Sequence, residues 1–416
     1  MTTRPDALPA PLPTTLPDAA WRHGTGFRRL CAALDADAGA LRLVGGAVRD
    51  SLLGIAVHDV DLATRLAPAE VIRRLKAAGI KVVPTGLAHG TVTAILDGQP
   101  FEITTLRRDV STDGRRATIA YTDDWREDAA RRDFTINALY ADPLTGALFD
   151  YFGGLDDLAA RHVRFIGDAE RRIDEDHLRI LRYFRFLARF GVLPPDAPSY
   201  RACVTHANSL TALSRERIAD ELLKLLALPD PTAVLALMID GGILAPVLPE
   251  ITPGGLARLR TLVAREVEAA LPPAPLLRLA ALLPPDAATG EAVATRLKLS
   301  NKARKRIGAA LAPAPACSSV RELAFRLGAE GAADHILLDP AQPAADAHAI
   351  LHWPVPDFPI GGRDVMALGL EPGPHIAKVL AAVRERWIAA GFPDREAAQA
   401  IAAECIATLR RESQNS

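Results

Sequence analysis

Strand-like segments occur only near the start of this chain, and this division limits what it can fold into. The segments are rich in Val, Ile, Leu and Thr and alternate with helix-like stretches such as 68–78. They are 41–44, 60–63, 81–83, 91–95 and 101–105. From about residue 156 onward these patterns nearly disappear, and Ala- and Leu-rich stretches are interrupted by Pro and Gly. The sequence therefore predicts an α/β or α+β head followed by an all-helical remainder.

The size and composition of the chain fit a globular protein of several domains. Its 416 residues are too many for one ordinary core. Hydrophobic residues make up 49% and charged residues 24%, which excludes a largely disordered chain. The formal net charge of −1 gives no overall support for a nucleic-acid partner, so any basic surface must be local. The Pro- and Thr-rich start, 1–22, is predicted as a disordered extension.

Cysteine spacing and hydropathy predict the compartment. The four cysteines, Cys31, Cys203, Cys317 and Cys405, are far apart and form no CxxC pair. This favours free thiols in a reducing compartment. The sequence has no run of 18 apolar residues, so we expect no transmembrane helix. Together these features predict a cytoplasmic protein with no membrane partner.

A glycine pair lies between the first strand-like segment and a helix, in Leu43-Val44-Gly45-Gly46-Ala47-Val48-Arg49-Asp50. Glycines at such a turn let backbone N–H groups approach a phosphate, and the helix N-terminus adds a positive dipole. Arg49, one turn into the helix, could reach a triphosphate oxygen. A glycine pair alone is equally compatible with a simple tight turn, so the prediction depends on the residues downstream of the pair.

Two aspartates come next in Asp59-Val60-Asp61, ten residues after Arg49. Residues i and i+2 of a strand point to the same face, so these carboxylates would repel each other unless a cation lay between them. Hard divalent ions such as Mg²⁺ prefer oxygen ligands. The tripeptide alone could be a solvated turn, but the preceding glycine turn favours Asp59 and Asp61 as catalytic metal ligands.

A third carboxylate lies on a neighbouring strand-like segment, Phe101-Glu102-Ile103-Thr104-Thr105. Glu102 lies on the face opposite Phe101 and Ile103, so it could complete a metal site beside Asp59 and Asp61. An exposed strand glutamate is nearly as good an interpretation.

These motifs resemble the signature of the class II tRNA nucleotidyltransferase and bacterial poly(A) polymerase family. Four further blocks agree, in the family's order, and together they extend from about residue 41 to 226. They are Arg131-Arg132-Asp133-Phe134-Thr135-Ile136-Asn137-Ala138, Asp150-Tyr151-Phe152-Gly153-Gly154, Glu175-Asp176-His177-Leu178-Arg179, and Ser214-Arg215-Glu216-Arg217-Ile218 with Glu221.

The resemblance implies an α+β fold and a particular order of domains. It predicts a polymerase-β-like nucleotidyltransferase head, with a mixed sheet and helices, over 23–152. An all-helical neck that carries the base-reading segment would come next, over 153–228. The remaining 229–416 would form a helical body and tail that bind tRNA.

The resemblance also implies an activity, which is the template-independent addition of C, C and A to the 3′ end of tRNA from CTP and ATP. The tRNA 3′-hydroxyl would attack the α-phosphorus, and pyrophosphate would leave. Two Mg²⁺ ions suit this phosphoryl transfer, and Asp59 and Asp61 would hold them. The implied partners are the tRNA 3′ end, ATP and CTP, and no protein partner is implied.

Base selection without a template requires protein groups that imitate a pairing edge. We predict Asp176 and Arg179 on one face of a continuous helix over 174–190, where they would read the edge shared by cytosine and adenine. Arg182 and Arg185 would extend this row of side chains, unless the arginines simply form a solvated helix face. The other predicted nucleotide contacts are Gly45, Gly46, Arg49, Arg132, Asp133 and Asn137.

Asp133 is the best candidate to accept a hydrogen bond from the ribose 2′-hydroxyl. The alternative for this block is a capping network around a buried Phe134.

The densest basic cluster of the helical half lies between 296 and 306. Lys and Arg neutralise phosphate without reading sequence, as an enzyme that accepts every tRNA requires. The predicted RNA contacts are Lys298, Lys302, Arg304, Lys305 and Arg306. A solvated helix end is an equally good interpretation of the same residues.

The resemblance leaves several activities open. The polar segment 109–125 is predicted to be a mobile loop, which in CCA-adding members helps to switch specificity from C to A. Its presence, and the stretch 84–93, favour CCA addition over poly(A), CC-only or A-only activity. A non-catalytic RNA-binding protein is disfavoured by the intact Asp59 and Asp61 pair and the intact 175–179 block.

Overall fold

The computed structural model describes residues 12–57, 59–113 and 116–414. Strands of the described residues all lie before residue 151. They are β1 (Leu41–Val44), β2 (Val60–Thr64), β3 (Lys81–Gly86), β4 (Thr91–Leu96), β5 (Gln99–Thr105), β6 (Arg107–Asp113), β7 (Arg116–Tyr121), β8 (Leu139–Ala141) and β9 (Leu148–Asp150).

Helices alternate with the strands in the head and are the main regular elements of the rest of the described chain. Those of the head are α1 (Ala20–His23), α2 (Thr25–Ala33), α3 (Gly46–Leu52), α4 (Pro68–Ala77) and α5 (Trp125–Ala130). The next helices are α6 (Gly154–Ala159), α7 (Ala169–Glu175), α8 (Leu178–Phe190), α9 (Ala197–Thr205), α10 (Arg215–Leu226), α11 (Thr232–Asp240), α12 (Pro253–Glu268) and α13 (Pro275–Leu282). The last are α14 (Ala287–Arg296), α15 (Asn301–Leu311), α16 (Val320–Leu338), α17 (Ala344–Leu351), α18 (Gly362–Ala367), α19 (His375–Ala389) and α20 (Arg395–Gln414).

Seven strands form one mixed sheet in the order β3-β4-β5-β2-β1-β8-β9. β2 and β5 are parallel, and all other neighbours are antiparallel, which confirms the predicted mixed sheet. β1 and β2 lie in the middle, and Leu41, Leu43 and Leu62 are fully buried there. Because Leu43 pairs with Leu62, the end of β1 meets the start of β2. The glycine turn and the aspartate pair therefore lie at the same edge of the sheet.

The five predicted strands are confirmed, but the polar segment after β5 was interpreted wrongly as a loop. Over 107–113 and 116–121 the backbone forms a two-stranded antiparallel ribbon of β6 and β7, separate from the main sheet. The polar composition of this segment hides the pairing from a sequence reading that looks for apolar strand patterns. Arg115, within the predicted loop, lies outside the described residues.

The predicted disordered extension, 1–22, is in part packed on the head. Residues 1–11 lie outside the described residues, but Thr15 pairs with Ala147 and Leu16 is buried. The buried Arg22 guanidinium donates to the carbonyl oxygens of Leu16 and Pro143. The contacts with Ala147 and Pro143, more than 100 residues away in the sequence, fix the segment, and its composition gives no sign of them.

The helical remainder is confirmed, and the chain divides into two compact units. One unit comprises 1–263, 273–284 and 288–304, and the other comprises 264–272, 285–287 and 305–416. The predicted head and neck therefore fall within the first unit, whereas the predicted body and tail are divided between both. Among the helices of the described ranges, none combines the length and hydropathy that a membrane span requires.

Two adjacent glycines at the start of α12 allow a matched test of packing within the first unit. A Cβ at the buried Gly255 would lie 2.0 Å from the carbonyl oxygen of Leu282 at the end of α13. A Cβ at the exposed Gly254 would meet only ordinary contacts, 3.7 Å or more away. We expect Gly255→Ala to lower the free energy of unfolding by about 2 kcal/mol or more, because backbone must move.

Gly254→Ala is the control, and it should raise that free energy by up to about 1 kcal/mol because alanine favours helix. Denaturant unfolding of both variants measures the difference. Equal effects of the two substitutions would show that the close approach of α12 to the end of α13 is wrong.

Candidate active site

The glycine turn between β1 and α3 forms one wall of a cavity in the first unit. Gly45 has φ 68° and ψ −124°, a conformation that favours glycine. A Cβ at this position would also lie 3.2 Å from Nη1 of Arg132. Gly46 begins α3, so the turn combines exposed backbone with a helix start, as the sequence predicts for a phosphate site.

The cavity has a volume of about 960 Å³ and is strongly basic. Its described lining includes eight arginines and five aspartates, which leaves a local excess of positive charge in a chain of net charge −1. The arginines are Arg49, Arg131, Arg132, Arg179, Arg182, Arg185, Arg189 and Arg217. The aspartates are Asp50, Asp59, Asp61, Asp133 and Asp176. Such a cavity suits a highly charged anion such as a nucleoside triphosphate.

Asp59 and Asp61 lie at the start of β2 and both line this cavity. Asp59 is exposed just before the strand, and Val60 between them is buried in the core, as the alternation predicts. Burial raises the pKa of Asp61 to about 6, and the charges of Glu102 and Asp59 act in the same direction. Arg132 opposes this rise. Negative charge is therefore concentrated where a cation would relieve it.

Glu102 lies beside Asp61 but not in the cavity. The parallel pairing of β2 with β5 puts the two residues in register, and Glu102 is exposed. The described lining of the cavity includes Asp59 and Asp61 but not Glu102. In the described part of the chain, no three His, Cys, Asp or Glu side chains are grouped to hold a metal ion. Two carboxylates still fit Mg²⁺, which keeps waters and takes substrate phosphates as further ligands.

Arg49 is more buried than the sequence suggests. Its guanidinium donates to Oδ1 of Asn137 and, over 2.8 Å, to Oδ1 of Asp50. It also lies 4.2 Å from the ring centre of Phe190. The predicted phosphate contact is thus held among protein groups at the cavity wall.

Asp133 joins the sheet side of the cavity to the helical side. Its Oδ1 accepts from Asn137 Nδ2 over 2.9 Å, and its Oδ2 accepts from Nε of Arg182 in α8 over 2.8 Å. Burial alone would raise the pKa of Asp133, but the charge of Arg182 and the bond from Asn137 outweigh it, so the pKa is lowered. The carboxylate is therefore ionised, and its orientation is fixed by protein groups.

The prediction of one continuous helix over 174–190 is wrong, because the helix is interrupted at Asp176. α7 ends at Glu175 and α8 begins at Leu178, and Asp176 between them is extended, with φ −156° and ψ 105°. Its Oδ1 accepts from the N–H of Leu178 over 3.1 Å. Asp176 and Arg179 thus do not share a helix face, yet both line the cavity.

Each predicted base-reading residue is already paired within the protein. Oδ2 of Asp176 accepts from Nη2 of Arg217 over 2.7 Å, and Arg179 pairs with Glu175. Arg185 Nε donates over 2.6 Å to the buried Glu221, which lies 3.8 Å from Arg182.

Three cavity arginines, Arg131, Arg189 and Arg217, were missed as site residues in the sequence. Arg189 lies one helical turn after Arg185, a spacing that could have indicated it. Arg217 belongs to the 214–218 block but was not among the predicted site residues. Its contact with Asp176 depends on the packing of α10 against α8, which no local pattern shows.

The predicted RNA-binding cluster does not form one exposed group. Lys298 pairs with Glu216 over 2.8 Å, and Arg304 pairs with Glu291. Both belong to the first unit with Lys302, whereas Lys305 and Arg306 belong to the second. Arg306 binds Asp334 through two nitrogens, each at 2.8 Å. Lys302 and Lys305 are exposed.

Comparison with protein families finds two regions of similarity. Residues 41–164 match the family described as "Poly A polymerase head domain". Residues 196–254 match the family described as "Probable RNA and SrmB- binding site of polymerase A". The first match contains the glycine turn and the aspartate pair.

Curated relatives match most of the chain. "CCA tRNA nucleotidyltransferase 1, mitochondrial" of Mus musculus is 36% identical over 378 residues, which are 85% of this chain and 83% of the relative. The human protein of the same name is 35% identical with the same coverage. A "CCA-adding enzyme" of Lactobacillus johnsonii is 39% identical over 203 residues, 48% of this chain and 49% of the relative.

Solved structures show the same fold. The Bacillus stearothermophilus CCA-adding enzyme in complex with CTP gives a TM-score of 0.72 at 28% identity, covering 94% of this chain and 100% of that one. The Thermotoga maritima CCA-adding enzyme, complexed with tRNA, gives a TM-score of 0.68 at 22% identity, covering 92% and 95%. The second likeness concerns the fold alone.

The raised pKa of Asp61 predicts a stability change that depends on pH. A pKa raised from 3.8 to about 6 means that the folded state disfavours the carboxylate relative to the unfolded chain. The resulting destabilisation is absent below pH 3.8 and complete above about pH 6. In protein treated with a chelator, Asp61→Asn should therefore raise Tm by a few degrees at about pH 7.5.

At about pH 4.5 most of this gain should disappear, because Asp61 is then largely protonated in the folded state. Asp37→Asn, at an exposed position, is the control and should change Tm little at either pH. A gain of equal size at both pH values would contradict the electrostatic explanation.

Proposed function

We propose that this chain, which belongs to the CCA tRNA nucleotidyltransferase family, adds C, C and A to the 3′ end of tRNA from CTP and ATP. The observation that carries the proposal is one cavity that holds both Asp59 and Asp61 and the base-reading residues Asp176 and Arg179. A nucleotide in this cavity can have its phosphates near the aspartate pair while its base reaches the neck helices.

The reaction requires one bond to form and one to break at the α-phosphorus. The tRNA 3′-oxygen bonds to phosphorus, its proton is lost, and the bond to the β-bridging oxygen breaks, so that pyrophosphate leaves. The cavity arginines offset the charge of the triphosphate and of the departing pyrophosphate.

Asp59 and Asp61 would hold Mg²⁺, and the resemblance implies two ions. Bound Mg²⁺ supplies charge neutralisation at the reacting phosphate. Glu102 remains a further candidate ligand, since it is in register with Asp61, although it lies on the exposed side of β5.

Asp176 and Arg179 would read the base through oriented hydrogen bonds. Arg217 and the N–H of Leu178 fix the Asp176 carboxylate, and each carboxylate oxygen keeps a second lone pair for the base. Arg179 is held by Glu175, with Arg182 and Arg185 next along α8. Held in this way, Asp176 can accept a hydrogen bond from an amino group and Arg179 can donate one to a ring nitrogen. Cytosine and adenine both offer these two groups.

The sugar and phosphates would contact the remaining lining residues. Asp133 would accept from the ribose 2′-hydroxyl in exchange for one of the bonds that it now accepts from Asn137, from the N–H of Phe134 and from Arg182. Gly45, Gly46, Arg49 and Arg132 would face the phosphates. Lys302 and Lys305, both exposed, are the stronger of the proposed RNA contacts, because Lys298, Arg304 and Arg306 already pair with carboxylates.

We place the chain in the cytoplasm. All four cysteines are free thiols, and two of them, Cys31 and Cys203, are buried, as a reducing compartment allows. The mouse and human relatives are named as mitochondrial, so fractionation of cells that express the chain tests this placement. Recovery with mitochondria would contradict it.

The reaction itself can be tested with tRNA that lacks its 3′-terminal CCA. With Mg²⁺ and CTP alone the protein should add two C residues, and with CTP and ATP it should complete CCA and stop, as sequencing of the product ends would show. Asp59→Ala and Asp61→Ala should each lower the transfer rate by about 100-fold or more, because the metal ligands are lost.

Asp37→Ala is the matched control and should leave transfer unchanged. Near-normal transfer by either cavity variant would overturn the metal assignment. A long A tail would instead indicate a poly(A) polymerase, and arrest after CC or addition of A alone would indicate a partial enzyme.

Base selection depends on Asp176 in this proposal. Asp176→Ala should reduce the preference for CTP over UTP by about 100-fold, because the group that accepts from the amino group is lost. The ratio of kcat/KM for CTP and UTP measures this preference. Asp174→Ala, exposed two residues earlier, should leave the ratio unchanged. Unchanged selectivity in the Asp176 variant would show that the base is read elsewhere.

A further inference from the structure

Two buried side chains support Arg132 from behind the cavity wall. Nη1 of Arg132 is the nitrogen that approaches the glycine turn, 3.2 Å from the position of a Cβ at Gly45. Its other nitrogens point inward. Nη2 donates to Oδ2 of Asp128 over 3.2 Å, and Nε donates to the hydroxyl of Tyr140 over 3.3 Å. The guanidinium is thus held by two acceptors on the side away from the turn.

The acceptors are themselves fixed. The Tyr140 hydroxyl donates to the same Oδ2 of Asp128 over 2.7 Å. Oδ1 of Asp128 accepts from the backbone N–H of Arg107 over 3.3 Å, at the start of β6. Both oxygens are engaged, so the carboxylate cannot rotate without losing a bond. β8 holds Tyr140 in the sheet, and α5 holds Asp128.

Neither supporting residue can touch a nucleotide. Asp128 is 2% exposed and Tyr140 is fully buried, and the described lining of the cavity includes Arg132 but neither of them. Burial would raise the pKa of Asp128, but the charges of Arg132 and Arg131 and the bond from Tyr140 outweigh it, so the pKa is lowered. An ionised, buried carboxylate that is bonded to a cavity arginine can act on a ligand only through that arginine.

We infer that Asp128 and Tyr140 are positioning residues that hold the Arg132 guanidinium at the phosphate side of the nucleotide cavity. The inference rests on the proposed function, since it takes a nucleoside triphosphate as the ligand. Arg132 shares the cavity with seven other arginines, and like charges would displace an unsupported side chain. The buried pair counters this repulsion and restricts the long side chain before the ligand binds. Because the contact is with phosphate, its effect is independent of the base.

The hydroxyl of Tyr140 can be removed without removing its ring. Tyr140→Phe should raise the Kd of CTP, of ATP and of inorganic tripolyphosphate by the same factor, about 10-fold. Titration of the full chain with each ligand in turn gives these constants. The matched control is Tyr183→Phe, since the hydroxyl of this other fully buried tyrosine has no hydrogen-bond partner among the described residues. The control should leave all three constants within about 2-fold.

A second set of variants tests whether the effect passes through Arg132. In an Arg132→Ala background, Tyr140→Phe should cause no further loss of affinity, because nothing remains to be positioned. Asp128→Asn should weaken the same three ligands in the native background, and it serves if Tyr140→Phe fails to fold. Melting temperatures of all variants check that they are folded.

Several outcomes would overturn the inference. These are equal effects of Tyr140→Phe and Tyr183→Phe, a loss of affinity that persists without Arg132, or a loss for nucleotides but not for tripolyphosphate. The binding measurements need no transfer activity. A wild-type chain that binds CTP but extends no tRNA would contradict the proposed function. The binding measurements would still decide whether Asp128 and Tyr140 position Arg132.

Discussion

The ion pair between Asp133 and Arg182 is the contact on which the cavity most depends, because it joins the sheet side to the helical side. Asp133 comes after α5 in the head and Arg182 belongs to α8, 49 residues away along the chain. Asp133 is almost fully buried, and Asn137 also donates to it. Removal of Arg182 would leave the Asp133 carboxylate with neutral donors only, Asn137 and the N–H of Phe134, and would lower the free energy of unfolding. The spacing between the two sides of the cavity is therefore set by a directional contact.

Other cavity arginines are likewise held in place by ion pairs with carboxylates. Asp176 pairs with Arg217, and Glu221 pairs with Arg185, so cationic groups are oriented by carboxylates before a nucleotide enters. Ordering a long side chain costs conformational entropy, and here folding has already met that cost. A triphosphate then replaces or joins the carboxylates that already hold the arginines, so its binding does not have to order mobile side chains. The buried support of Arg132 by Asp128 extends this arrangement to the side of the cavity at the glycine turn.

Local patterns in the sequence predicted the central strands, the glycine turn and the position of Asp59 and Asp61, because each depends on neighbours within a few residues. The break between α7 and α8 was missed because the apolar spacing continues across it. The extended Asp176 is stabilised by Arg217, 41 residues later, and only the fold brings the two together. Contacts between segments that are distant in the sequence also explain why the packing of Leu16 was missed. They explain as well why Arg217 was not predicted as a cavity residue.

The basic cluster at 298–306 shows the opposite kind of error. Its sequence predicts more unpaired cations than the folded chain contains. Lys298 and Arg306 each meet a carboxylate from a distant segment, Glu216 and Asp334. Five cations in sequence thus do not make five available contacts for phosphate. The cavity arginines are also paired, for example Arg179 with Glu175 and Arg185 with Glu221, but they line one concave surface on which arginines outnumber aspartates. Since the field of a concave, partly buried surface is less screened than that of exposed lysines, attraction for nucleotide phosphates is concentrated there.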